Sequence, residues 1–312
     1  MNPLFHPLIG QPAAIALLSQ AIALDRIAPA YLFAGPQGVG KRLATTCLIQ
    51  RLLQSRRETN PALLAQRIEQ RNHPDLLWVE PTYLHQGKRL TVAEAEEAGV
   101  KRKSAPIVRL EQIREISHFL SRPPLEASRS IVVIEQTETL AEAAANALLK
   151  TLEEPGQATL ILLAPSVESL LPTIVSRCQR IPFYRLSDQD LQTVLQRSPQ
   201  PELLHHAEVL ALAQGSPGAA IAQCEKLQAL PEGLLEQLTQ LPNTLRESLN
   251  LAKKIAKALD TETQIWLLDY LQQSYWRSGQ ASLEQLQKLE KAKAYLNAYV
   301  QPQLVWEVTL MQ

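Results

Sequence analysis

Up to about residue 185, short unbroken apolar runs alternate with stretches of helical periodicity. Tyr31-Leu32-Phe33-Ala34, Leu76-Leu77-Trp78-Val79, Ile131-Val132-Val133-Ile134 and Leu160-Ile161-Leu162-Leu163 carry no polar alternation. Runs of this kind fit strands covered on both faces, as in a parallel sheet. Between them Leu110, Ile113, Ile116 and Leu120 fall on one helical face, and Leu140, Ala144, Ala147, Leu148 and Thr151 on another. Strand and helix in alternation predict a doubly wound α/β domain over residues 1–185.

Beyond Phe183 the strand pattern stops. Turn clusters at Arg197-Ser198-Pro199-Gln200-Pro201 and Gly215-Ser216-Pro217-Gly218 separate short helical segments. A small helical domain is expected over 186–228 and an all-α domain of longer amphipathic helices over 229–312. In the latter, Leu245, Leu249, Ala252, Ala256 and Leu259 form one predicted face, and Leu283, Leu286, Leu289, Ala292, Leu296 and Tyr299 a second. Such stripes report a bundle core; periodicity alone does not imply contact with a neighbouring chain. Two polar stretches interrupt the first domain. Residues 51–72 carry Arg51, Arg56, Arg57, Arg67 and Arg71, and residues 84–106 include Lys101-Arg102-Lys103 with little hydrophobic pattern. They read as a solvated face and a flexible insertion, with contact to DNA phosphates or a partner as the alternative.

Composition narrows the function classes. Lys plus Arg and Asp plus Glu are 31 each among 312 residues, a balance that argues against a protein coating nucleic acid by itself. Neither a secretory leader nor an apolar run of about 18 residues is visible, so a cytoplasmic protein without a membrane span is expected. Cys47, Cys178 and Cys224 are widely separated and lack metal-ligand spacing.

The chemistry concentrates after the first predicted strand. Gly35-Pro36-Gln37-Gly38-Val39-Gly40-Lys41 joins that strand to a helix, the context a phosphate loop requires. Glycines let the backbone approach phosphate oxygens, amides at the helix start point at them, and Lys41 adds positive charge. The next residue is Arg42, where Ser or Thr normally offers a hydroxyl to Mg²⁺. The strand at 131–134 ends in Glu135-Gln136, where a working ATPase has Asp-Glu. Glu135 could stand in for the metal-side acid with a longer stem; Gln136 is an amide and no base. These residues predict a loop that does not hydrolyse ATP and is compatible with ATP or ADP bound without turnover.

Further segments carry a resemblance. They are Leu8-Ile9-Gly10-Gln11, His73-Pro74-Asp75, Ile113-Arg114, the block Ala144 to Pro155 (AANALLKTLEEP) and Leu171 to Gln179 (LPTIVSRCQ). Together they are similar to the bacterial DNA polymerase III clamp-loader family of AAA+ proteins, strongly over about residues 5–185 and weakly beyond. The ending Tyr299-Val300-Gln301-Pro302-Gln303-Leu304 resembles the family's final collar helix. The resemblance implies an AAA+ domain, a helical lid at 186–228 and an oligomerising collar at 229–312. Ile9 and Gly10 join the loop residues as nucleotide-contacting candidates. In the family's lid a Gly-Ser-x-Arg pattern supplies a γ-phosphate sensor, and here Gly218 stands in the arginine's place.

Missing hydroxyl, acidic pair and sensor point to a non-motor loader subunit, with an active gamma/tau-like motor, or another replication or recombination AAA+ protein, as the alternative. The resemblance further implies that Arg177 of Ser176-Arg177-Cys178 is an arginine finger presented to ATP on an adjacent motor subunit. It implies gamma/tau and delta subunits as partners, and a sliding clamp and primer-template DNA reached through the assembled polymerase holoenzyme in the nucleoid-associated replisome. Many family members carry a four-cysteine zinc module where this chain has its Arg-rich stretch, so no zinc is expected.

Overall fold

The computed structural model describes residues 3–54, 60–100, 105–239, 244–278 and 282–311. The chain divides into two compact units, Met1–Asp190 and Leu191–Gln312.

In the first unit the elements run α1 (Pro12–Ala23), β1 (Ala30–Ala34), α2 (Lys41–Leu53), α3 (Pro61–Glu69), β2 (Leu76–Val79), β3 (Tyr83–His85), β4 (Lys88–Leu90), α4 (Val92–Glu97), α5 (Leu110–Leu120), β5 (Ser130–Ile134), α6 (Glu142–Glu153), β6 (Ala158–Ala164), α7 (Pro172–Val175) and β7 (Gln179–Pro182). Five strands form one parallel sheet in the order β2-β5-β6-β1-β7. Every residue of β1, β5 and β6 is buried, which is why their sequences show no alternation. Leu32, Val132, Leu160 and Leu162 face one core with Ile113 and Ile116 of α5, Leu148 of α6 and Ile174 of α7. The alternate residues, Tyr31, Phe33, Val133 and Ile161, are directed to the other face, where α1 lies against β7 and α2 against β6.

The structure departs from two sequence expectations. First, β7 was not anticipated: Gln179 and Arg180 are exposed, and a four-residue edge strand ending in proline presents no apolar run. Second, residues 83–97 are not a flexible insertion. Gln86 and Gly87, with φ of 49° and 78°, close an antiparallel β3–β4 hairpin, and α4 begins with a capping box between Thr91 and Glu94. Lys101-Arg102-Lys103, and Arg56 and Arg57, lie outside the described residues.

The second unit is helical: α8 (Asp188–Gln196), which enters it from the first, then α9 (Ala207–Ala213), α10 (Pro217–Gln228), α11 (Leu234–Thr239), α12 (Leu245–Ala258), α13 (Thr261–Ser278), α14 (Leu283–Asn297) and α15 (Pro302–Leu310). Leu251, Ile255, Leu267, Leu271, Leu289, Leu296 and Trp306 share a core. The buried face of α12 therefore runs through Ser248, Leu251, Ala252 and Ile255, a partial rotation from the predicted stripe, and Leu245 is exposed. On α14, Leu289, Ala292 and Leu296 are buried as expected, whereas Leu283, and Tyr299 just beyond the helix end, are exposed. Among the described residues no helix is long and apolar enough to cross a membrane.

Candidate functional site

The phosphate loop connects β1 to α2 as the motif requires. Gly40 stands at the N-cap of α2 with φ 101°, a left-handed conformation that favours glycine. Gly35 answers a different demand: a Cβ there would fall on the Phe183 carbonyl and 2.7 Å from the Phe183 Cβ. The loop is thus pressed against the chain leaving β7. Gln37 and Gly38 are exposed at its tip, Pro36 is partly covered and Val39 is buried.

Gln11, which sequence reasoning quoted as part of a resemblance and gave no role, fastens this corner. Its buried side chain donates to the Val39 carbonyl (3.2 Å) and the Tyr184 carbonyl (2.7 Å), and accepts from the Tyr184 amide (3.0 Å). Ile9 and Gly10 precede it. Gly10 has φ 74°, and a Cβ there would lie 2.8 Å from Leu186 Cγ. The N-terminal segment, the loop and the exit of β7 are therefore one assembly.

Lys41 folds back along the loop. Its Nζ donates to the carbonyls of Gly35 and Pro36 (2.7 Å for Pro36). Burial lowers its pKa from 10.5 to about 8, more than the nearby charge of Glu138 raises it.

The metal side of the site is built from groups scattered along the sequence. Glu135 leaves the end of β5. Its Oε1 accepts from Trp78 Nε1 at 2.7 Å, lies 3.5 Å from Arg42 Nε and 4.0 Å from Arg71 Nη2. Arg71 also grips Glu80 through two contacts of 3.0 Å. The guanidinium carbons of Arg42 and Arg71 lie 5.4 and 5.3 Å from the Trp78 ring centroid, within cation–π range. A divalent cation does not fit this donor set. Arg42 offers no oxygen, Gln136 is neutral and exposed, and Glu135 already faces one N–H donor and two guanidinium groups. The loop itself keeps what a phosphate requires, a left-handed Gly40 at the start of α2 and the unpaired amides of a helix N-terminus. The Arg-rich stretch has an internal use as well: Arg67 makes a two-pronged pair with Glu126 (2.8 and 3.0 Å). Asp75 of the His-Pro-Asp segment is buried and accepts from the amides of Leu125, Glu126 and Ala127, an anchoring role for that loop.

Arg177 is nowhere near these residues. It follows α7 and precedes β7, whose Gln179 pairs with Tyr31 at the start of β1. The loop begins beyond the far end of β1, four residue steps or about 13 Å along the strand direction. Arg177 is exposed and oriented by two hydrogen bonds, Nη1 to the Thr173 carbonyl (3.0 Å) and Nη2 to Glu153 Oε1 (2.5 Å). A guanidinium has five N–H donors, so three remain. The neighbouring Cys178 thiol is pushed up to about 11 by burial, which disfavours a thiolate. Gly218 lies in the first turn of α10, capped by the Ser216 side chain accepting from the Ala219 amide (3.2 Å).

Both parts of the chain match families of known proteins. Residues 10–187 match the family described as DNA polymerase III, delta subunit, and residues 189–312 match the cyanobacterial DNA polymerase III delta prime C-terminal domain. The DNA polymerase III subunit delta' of Bacillus subtilis is 32% identical over 206 residues, 64% of this chain and 55% of that protein. That of Pseudomonas aeruginosa is 32% identical over 243 residues, 75% of this chain and 65% of that protein. The matched regions thus span little more than half to under two thirds of these relatives' lengths. The crystal structure of a DNA polymerase III gamma subunit-related protein from Thermotoga maritima superposes with a TM-score of 0.54 at 17% identity, covering 94% of this chain and 97% of that one, a likeness of fold. With its phosphate-loop sheet domain, helical C-terminal unit and both parts matched, the chain belongs to the DNA polymerase III delta subunit family, on its delta-prime branch.

Proposed function

We propose that this chain is a stator-like subunit of a DNA polymerase III clamp loader. It does not hydrolyse ATP in its own loop and supplies Arg177 to ATP bound by an adjacent gamma/tau motor. The observation that carries this reading is the separation of the two sites. The loop's metal side carries the Arg42–Glu135 contact, whereas Arg177 stands at the opposite end of the strands, out of reach of its own loop. A planar, permanently charged fork placed where phosphoryl charge develops stabilises the transition state without itself reacting.

In this reading the first unit and the lid (186–228) hold one position in a ring with gamma/tau and delta, and the helices of 229–312 form the collar. ATP bound by the motors closes the ring on a sliding clamp and primer-template DNA, and hydrolysis releases the loaded clamp. The protein would work in the cytoplasm. The loop retains a seat for the phosphates of ATP or ADP, held without turnover by Gly35 to Lys41 with Ile9 and Gly10 alongside. The test is clamp- and DNA-stimulated ATPase of a reconstituted loader carrying Arg177→Ala in this subunit alone, with assembly verified by size. A large loss of rate in an intact assembly is expected; an unchanged rate ends the proposal.

A further inference from the structure

We infer that the phosphate loop of this chain binds a nucleoside diphosphate or triphosphate as the metal-free anion, with the Arg42 guanidinium standing where the Mg²⁺ complex would be. The inference rests on reading Gly35 to Lys41 as a phosphate seat and adds to it the form in which the ligand arrives. A working corner of this kind has a neutral Ser or Thr, an Asp and a Glu, two negative charges that repel phosphate until Mg²⁺ cancels them. Here the three corresponding residues are Arg42, Glu135 and Gln136, one positive, one negative and one neutral. The corner has from the start the net charge that a working corner reaches only when loaded with metal.

Geometry supports the same conclusion. Arg42 follows Lys41 directly in the first turn of α2, and its side chain is 62% exposed while Glu135 beside it is 19% exposed. The guanidinium therefore has one side toward Glu135 and Trp78 and the rest of its donors open to solvent, as a second partner requires. Guanidinium groups pair with phosphate oxygens through two parallel N–H bonds, so a polyphosphate could take Arg42 and Lys41 together. Lys41 has no carboxylate within 4.0 Å among the described residues; its Nζ rests on two carbonyl oxygens, a half-buried cation without a contacting counter-charge. The other charges near the corner, Arg71 and Glu80, pair with each other, and Glu138 stands close enough to act on Lys41. Mg²⁺ carried in on a nucleotide would find Arg42 in its place, two cations competing for the same phosphate oxygens.

The experiment is calorimetric titration of the purified full-length chain with ADP, and separately with inorganic pyrophosphate, in EDTA and in excess Mg²⁺. Binding in EDTA is expected, weakened several-fold by Mg²⁺. Arg42→Ser should lower the metal-free affinity about tenfold, the loss of a hydrogen bond between charged partners, and reverse the sign of the Mg²⁺ effect. Lys41→Ala should weaken both conditions, and Arg42→Lys should keep part of the metal-free affinity if the folded state is retained by circular dichroism. Binding that requires Mg²⁺ in the natural chain would overturn the inference. So would the absence of binding in both buffers, an outcome that also removes the phosphate seat but leaves the Arg177 role to be judged by the loader's ATPase.

Discussion

The two arginine corners of the first unit make opposite use of the same residue type. Arg42 lies along an acid and an indole with its side chain 62% exposed; Arg177, 35% exposed, is held by Thr173 and Glu153 and keeps three N–H donors. Neither ion pair is deeply buried, so the difference is not one of raw pairing energy, since exposed pairs contribute about 0–1 kcal/mol. It lies in what each guanidinium can still reach. At the loop, Arg42 contacts Glu135 and Trp78 and, on the inference above, would stand in the place of a metal complex. At the far end of the sheet, Thr173 and Glu153 orient a cation that no group of the chain's own loop can use. On the proposed function, one fold would lose a catalytic centre while keeping the residue that completes a neighbour's.

Substitutions can break or sharpen that contrast. The largest effect is expected from Arg177→Ala in the assembled loader, a fall in stimulated ATPase of about 10³-fold, the low end for arginine fingers, with the thermal stability of the isolated chain nearly unchanged. The loop corner should respond in the reverse manner, through stability. Gly35→Ala places a methyl on the Phe183 backbone and should cost about 3 kcal/mol in urea denaturation. A destabilisation below about 1 kcal/mol would mean the chain leaving β7 yields easily. Smaller again, Trp78→Phe removes the indole N–H held by Glu135 and should cost about 1 kcal/mol, with loader ATPase unaltered.

The smallest is a pH effect. The folded pKa of Lys41 is about 8 against 10.5 ordinarily, so between these values the unfolded chain binds more protons. Stability from this group therefore rises with pH across that window and is flat below it. Compared with Lys41→Met, the natural chain should gain in thermal midpoint between pH 8 and 10.5; parallel curves would remove burial as the cause.

How much of this was legible beforehand varied by element. The runs of β1, β5 and β6 are readable because strands buried on both faces have only one pattern available, and that of β2, an edge strand, because all four of its residues are apolar. β7 was not, because an edge strand with two exposed residues and a proline resembles a loop. The face of α12 was misplaced because Leu245 and Leu249 suggested a stripe, whereas packing selected Leu251 and Ile255. The β3–β4 hairpin had a signal that was passed over, the turn at Gln86-Gly87.

The sequence by itself determined which chemical groups exist. No hydroxyl follows Lys41, no acidic pair follows β5, and an arginine precedes Cys178, whatever the chain folds into. Only the tertiary structure decided who meets whom. Arg42, Arg71, Trp78 and Glu135, the first and last of them 93 residues apart, converge because β2 pairs with β5 and α2 begins at the same end of the sheet. Arg177 and the loop are held apart because β1 and β7 run parallel, which puts the start of one beside the start of the other. Local periodicity reports burial within one element; strand order and direction are set by pairings between elements, and no single stretch of sequence contains them.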